Sequence, residues 1–192
     1  PDVENNTILF GMKALSGINQ NIMEEIIINR PYKSFKDFMN KLLIGNVFDH
    51  FSLVEATITT FNIFNIDGRL QQDFFDSDIK DSLREKCMEY SIWHDIKPFC
   101  FSIIRGKRTP LNFKIILQVP QCQVQKFLAD NKIIFPDNIC SFYLNLQYKN
   151  KSLLCTSGVS YSSFFPDRNL EHLWEDYLTG FLTRHGILFQ SL

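Results

Sequence analysis

Apolar positions in the first part of the chain recur at helical spacing, three or four residues apart. The pattern predicts helices over residues 7–15, 20–30 and 34–43. Residues 48–64 are apolar and rich in threonine, and we expect another helix there, although β-branched residues have a lower helix propensity. The N-terminal region is therefore predicted to be all-α.

The pattern changes after residue 110, where shorter apolar runs with alternation indicate strands. A helical pattern covers residues 79–93 before this change. The elements predicted after it are a strand over 112–119, a helix over 121–131, strands over 140–148 and 152–158, and a closing helix over 169–186. The predicted fold class is mixed, with an all-α N-terminal region and a small C-terminal α+β domain.

The composition is that of a globular protein of nearly neutral charge. The 192 residues are 45% hydrophobic with a formal net charge of −1, so nucleic-acid binding requires a local patch. Five cysteines without a CxxC pair indicate reduced thiols in a cytoplasmic protein. No apolar run reaches the roughly 18 residues of a membrane helix, so we expect no membrane partner. Because the chain begins at Pro1, we expect it to be a piece of a longer polypeptide.

Residues 14–19, ALSGIN, predict a tight glycine turn between the first two helices. This layout is the helix-hairpin-helix, in which backbone N–H groups at the start of the second helix face outward and attract an anion. Such contacts bind the phosphates of double-stranded DNA without reading sequence. The residues predicted to bind phosphate are Lys13, Ser16, Gly17, Asn19 and Gln20. The alternative is an αα-hairpin that packs only for stability.

Other charged residues offer fewer candidates. One compact basic cluster either contacts a DNA backbone or is a solvated turn. It consists of Arg105, Lys107 and Arg108. The acidic residues are scattered on helix faces or clustered in a polar stretch, where we expect a solvated loop. We therefore expect no catalytic residue, no metal ligand and no cofactor in this chain.

Residues 8–42 resemble a segment of the C-family DNA polymerases, the alpha subunits of bacterial DNA polymerase III. The matching positions are Gly11, Ala14, Gly17, Ile26, Arg30, Phe35, Asp37 and Phe38. Residues 1–6 and 42–51 also resemble family segments that flank this one. The resemblance thus rests on several motifs in the family's order.

The resemblance also implies a peptide that binds the sliding clamp. The family pattern is Gln, a small or apolar residue, Ser or Asp, a large apolar residue and Phe. This sequence has Gln71, Gln72, Asp73, Phe74 and Phe75 in the expected place. The adjacent apolar side chains of such a peptide fill a groove on the clamp, and the glutamine orients it. The alternative is that the two phenylalanines cover a local core.

The function implied by the resemblance is that of the C-terminal part of a replicative DNA polymerase. It would grip double-stranded DNA and tether the polymerase to the sliding clamp, while the Mg²⁺-dependent active site would lie elsewhere in the parent protein. The family's OB-fold is missing here, which implies a trimmed, divergent, phage-encoded member. The C-terminal domain is a candidate binding surface for another replication protein.

The predicted organisation has four parts. They are residues 1–64, a helix-hairpin-helix DNA-binding region; 65–78, a linker with the clamp-binding peptide; 79–110, a helix and connecting segment; and 111–192, a small α/β domain. Two other functions stay open. The chain could belong to a repair or recombination enzyme that uses the hairpin to hold DNA, or it could be a protein–protein interaction module.

Overall fold

The fold is organised on one seven-stranded sheet. The computed structural model describes residues 8–11, 35–86, 88–106, 108–133, 140–161 and 169–191. The strands are β1 (Ile8–Gly11), β2 (Ser52–Thr59), β3 (Ile63–Asp67), β4 (Asn112–Gln118), β5 (Cys140–Lys149), β6 (Ser152–Tyr161) and β7 (Gln190–Ser191). Their order across the sheet is β3-β2-β4-β5-β6-β1-β7.

Five α-helices and one 3-10 turn accompany the sheet in the described residues. They are α1 (Phe35–Leu43), the 3-10 turn Gln72–Phe74, α2 (Ser77–Glu85), α3 (Trp93–Ile104), α4 (Gln121–Asp130) and α5 (Asn169–Arg184). The predictions of α1, α4 and α5 are confirmed. The single helix predicted over residues 79–93 is wrong, because α2 ends at Glu85 and α3 begins at Trp93.

The prediction of an all-α N-terminal region is wrong. Residues 8–11, predicted to be helical, form a strand parallel to β6, and residues 48–64 contain β2 and the start of β3. Strands β3, β2, β4, β5 and β6 pair antiparallel in that order, so the fold is α+β. The predicted hairpin at residues 14–19 lies outside the described residues.

Strand β2 shows why helical spacing was misleading here. Ala56 and Ile58 are buried, whereas Glu55 and Thr57 beside them are partly exposed, which is the period of two of a strand with one buried face. Pairing with β4 along the whole length of β2 supplies the backbone hydrogen bonds. Tertiary pairing therefore decides the conformation of a segment whose apolar spacing also fits a helix. The pairing of β2 with β4 also places strands from both sides of residue 110 in one sheet. The four-part division of the chain stays a prediction.

The buried face of the sheet forms the core with α1 and α5. Alternate residues of β4 and β5 point into it, and α5 covers them: the indole of Trp174 stacks on Phe142 at 4.9 Å between ring centroids. Phe181 of α5 also contacts Phe48, after α1, at 5.8 Å. The fully buried strand residues are Leu53, Ala56, Ile58, Phe113, Ile115, Leu117, Phe142, Leu144, Leu146, Leu153 and Cys155.

Gly68 lets a second segment join the sheet beside β2. The N–H of Gly68 donates to the carbonyl of Val54 at 2.9 Å, and its own carbonyl accepts from Ser91 at 2.8 Å. The carbonyl of Ser91 in turn accepts from Leu53 at 2.9 Å. A Cβ atom on Gly68 would lie 1.7 Å from the carbonyl oxygen of Leu53. Only glycine therefore allows the chain on both sides of residues 69–90 to meet at the sheet.

An ion-pair network fixes α3 to the end of α1. The Lys97 ammonium is nearly buried and donates to the Gly45 carbonyl at 2.7 Å and to the Asp49 carboxylate. His94 lies 2.9 Å from the other carboxylate oxygen. Burial by itself raises the pKa of Asp49, but the hydrogen bonds from Lys97 and His94 and their charges outweigh it, so that pKa lies below its ordinary value of 3.8.

We predict that Gly68→Ala strongly destabilises the fold. The added methyl group collides with backbone, so the strand ends must separate, and we expect a loss of roughly 3 kcal/mol in the free energy of unfolding. Urea unfolding followed by circular dichroism measures it. Gly106→Ala is the matched control, because a Cβ there meets nothing closer than 3.8 Å. Equal stability of the two variants would contradict the close approach.

We predict that Asp49→Asn destabilises the protein in a pH-dependent way. The substitution leaves the Lys97 charge without its partner, which costs about 2–3 kcal/mol at neutral pH. Because the folded pKa is lowered, the stabilisation is present above about 3.8 and is lost as the pH falls through the folded value. Unfolding midpoints over a pH series should show that the stability difference between Asp49→Asn and the unsubstituted chain disappears below pH 4. Asp95→Asn, at an exposed carboxylate, is the control and should show no such difference.

Candidate functional site

The connection between β3 and α3 carries the most exposed part of the described chain. Residues 71–86, which we call the exposed segment, comprise the 3-10 turn and α2, and none of them is buried. The segment leaves and rejoins the sheet at Leu70 and Glu89, where the N–H of Leu70 donates to the carbonyl of Glu89 at 2.9 Å. It is thus fixed at its base and open along its length.

Arg69 and Tyr90 close this base. They face each other as an antiparallel bridge, with the guanidinium 3.5 Å from the tyrosine hydroxyl and 5.8 Å from the ring centroid. Sequence reasoning missed this pair. The two residues are twenty-one positions apart, and the hydrogen bond between Ser91 and Gly68 brings their two stretches of chain together.

The predicted clamp peptide lies at the start of the exposed segment. Phe74 is 84% exposed, and its ring packs edge-to-face on Phe75 at 5.4 Å between centroids. The N–H of Phe74 donates to the carbonyl of Gln71 at 3.0 Å, which closes the 3-10 turn. Gln72 and Asp73 are exposed on the same turn. The five residues are contiguous and accessible, and Phe74 covers no core; their role as a clamp peptide stays a prediction.

The rest of the exposed segment continues this surface. Helix α2 has no buried residue, and Ile79 on it is 49% exposed. Asp73, Asp76 and Asp78 precede its first basic residue, Lys80. The segment therefore offers exposed apolar side chains among carboxylates.

The predicted DNA contacts are only partly within the described residues. Arg105 and Arg108 are exposed near the C-terminal end of α3. The remaining predicted contacts, which lie outside the described residues, are Lys13, Ser16, Gly17, Asn19, Gln20 and Lys107. A DNA-binding role for either group stays a prediction.

Groups with reactive chemistry are few in the described residues. No cluster there of three or more His, Cys, Asp or Glu side chains could hold a metal ion. Burial raises the pKa of the thiols of Cys100 and Cys155 to about 12, so both stay protonated at neutral pH. No described helix has the length and apolarity needed to cross a membrane.

Two surface pockets were not predicted from the sequence. One, of about 520 Å³, lies on the solvent face of the β2–β3 hairpin and is lined by residues that include Glu55, Thr57, Asn65, Asp67, Arg69 and Tyr90. The other, of about 480 Å³, lies between α4 and α5, with walls that include Phe127, Trp174 and Tyr177. His50 stands at its rim. Burial lowers the pKa of His50, and the neighbouring His185 lowers it further.

A short stretch of the chain is similar to phage-type DNA polymerases. Over 46 residues, 24% of this chain, it is 39% identical to the probable DNA polymerase YorL of Bacillus subtilis (strain 168) and equally to the DNA-directed DNA polymerase of Bacillus phage SPbeta. The chain spans 4% of the length of these relatives. The similarity links this stretch to DNA polymerases, and membership of the C-family alpha subunits stays a prediction.

The larger part of the chain has a different relationship. No solved structure matches the chain. Residues 41–190, which include α3, the exposed segment and the whole of five of the seven described strands, match the model of a family of unknown function, DUF5721. Because this match covers most of the sequence, the chain belongs to that family of unknown function, DUF5721.

Proposed function

We propose that this protein acts in DNA replication as an accessory part of a phage-type DNA polymerase, and that its exposed segment tethers it to a sliding clamp. The observation that carries the proposal is Phe74, an aromatic side chain held outward on a 3-10 turn with 84% of its surface exposed. The local similarity to two DNA polymerases supports the setting in replication.

A phenylalanine pair with one exposed and one partly exposed ring suits an apolar groove on a partner. Burying one such side chain contributes about 1.5–3 kcal/mol. The edge-to-face contact of Phe74 and Phe75 fixes their relative orientation before binding, and the 3-10 turn fixes the backbone. Less conformational entropy is then lost on association than with an unstructured peptide.

The polar residues beside the phenylalanine pair orient the proposed contact through hydrogen bonds. Gln72 and Asp73 are free to hydrogen-bond to a partner, whereas the amide of Gln71 is directed back to the Arg69 carbonyl at 3.4 Å. The aspartates of the segment favour a groove with a basic rim. The partner proposed is therefore a clamp surface with an apolar groove and positive charge at its edge.

Double-stranded DNA is the second proposed partner. Backbone N–H groups in the stretch that resembles a polymerase DNA-binding segment would contact phosphates, and the exposed Arg105 and Arg108 would add positive charge. The proposed phosphate contacts are Lys13, Ser16, Gly17, Asn19 and Gln20. A clamp tether raises the effective concentration of such a weak DNA contact, so neither interaction has to be tight.

We predict that Phe74→Ala weakens binding to a sliding clamp at least about tenfold, because the anchor side chain is removed. Isothermal titration of the full chain with the purified Bacillus subtilis clamp measures the dissociation constant. Phe99→Ala is the matched control, since Phe99 is also exposed, at 63%, but lies on α3 outside the segment. Circular dichroism checks that both variants keep the fold.

Two results would contradict the proposal. One is the absence of binding by the unsubstituted chain. The other is equal weakening by Phe74→Ala and Phe99→Ala, which would show that exposed apolar surface in general, and not the peptide, makes the contact.

A further inference from the structure

Strand β3 is the outermost strand on one side of the sheet. Its only neighbour among the described residues is β2, and its exposure alternates along its length, with Ile63, Asn65 and Asp67 exposed and Phe64 and Ile66 partly buried. At the adjoining hairpin tip, Phe61 is 90% exposed. The edge is therefore open and carries apolar side chains.

The hydrogen-bond alternation shows which backbone groups on this edge are free. The N–H of Gly68 donates to Val54, and the N–H of Thr60 donates to Asn62, each at 2.9 Å. In an antiparallel pair every second residue bonds across, so in the register of β2 and β3 the inward-bonding residues of β3 are even-numbered. The N–H and C=O groups of Ile63, Asn65 and Asp67 consequently point away from β2.

Within the described residues, this edge has one charged residue, Asp67, and otherwise lacks the usual protection against strand pairing. Exposed edges are commonly blocked by lysine, proline, a bulge or a covering element. Residues 63–67 contain no lysine or proline, and their register with β2 runs without a bulge. The exposed segment does not cover the strand, since Ile63 is 63% exposed.

We propose that the β3 edges of two copies of this chain pair antiparallel around a twofold axis at Asn65, which joins the two sheets into one. In this register Asn65 faces its own copy, and Ile63 faces Asp67 of the second copy. It is the register that pairs all three outward-facing residues of β3 with one another. This interface is separate from the proposed clamp contact.

The side chains are complementary in the same register. Phe64 falls opposite Ile66 of the second copy on the core side, so apolar meets apolar. The exposed Phe61 falls opposite the exposed Arg69, and a cation–π contact there requires the guanidinium to turn away from Tyr90. The two Asp67 carboxylates are four residues apart along the strand direction, about 13 Å, where solvent screens them.

Sedimentation velocity of the full chain tests the pairing. We expect a species with twice the 22.5 kDa chain mass that dissociates on dilution. Asn65→Lys places two positive charges against each other at the axis and should raise the dimer dissociation constant by about tenfold or more. Asn65→Gln keeps the side chain neutral and is the control that should leave the dimer unchanged.

Disulfide trapping tests the register. In a background with Cys87, Cys122 and Cys140 changed to serine, Asn65→Cys should form a covalent dimer on mild oxidation, because facing residues of a bonded pair lie about 5.5 Å apart. Ile63→Cys should not, because its own copy would lie about 13 Å away along the strand.

Three outcomes would overturn the proposal. They are a monomer at every accessible concentration, a dimer that Asn65→Lys leaves intact, and equal cross-linking at positions 63 and 65. Larger oligomers that grow with concentration would also overturn it, because they would indicate pairing of β3 with the opposite edge of the sheet instead of with itself.

Discussion

Burial of one face of the antiparallel sheet is the constraint on which the rest of this structure depends. Alternate residues of β2, β4, β5 and β6 point into a single core, so these strands cannot shift register by one residue without exposing it. The helices pack against these strands: α5 lies on β6, α4 on β5 and α3 on β2, and Lys97 fixes α3 to the residues that follow α1.

Much of the core could be predicted from the sequence, but the topology could not. The C-terminal strands and helices follow from local alternation and helical spacing, because each has one period. Residues 48–64 satisfied helical spacing with β-branched residues, and pairing with β3 on one side and with β4, some sixty residues away, on the other makes β2 a strand. The sequence likewise marked Phe74 and Phe75, yet the exposure of Phe74 depends on the segment leaving the sheet after Gly68, which no local pattern encodes.

The two proposed interaction surfaces share one origin. Gly68 follows the edge strand β3 and hydrogen-bonds with both Val54 and Ser91, and the residues after it leave the sheet and return at Tyr90. The chain at Gly68 therefore adjoins both an open strand edge and a projecting segment anchored at its base. Arg69 closes the base of the segment and lies beside the pairing edge, outside residues 71–86 of the proposed clamp contact. A clamp contact and self-pairing can then occur on the same side of the molecule without competing for the same residues.

The central claim is that the exposed segment binds a sliding clamp as a preformed unit. Hydrogen–deuterium exchange of the full chain, with and without saturating Bacillus subtilis clamp, tests it most directly. The account predicts slower exchange confined to residues 71–86, with the core strands unchanged because they are already protected. Unchanged exchange in that segment, or protection that appears only elsewhere on the chain, would contradict it.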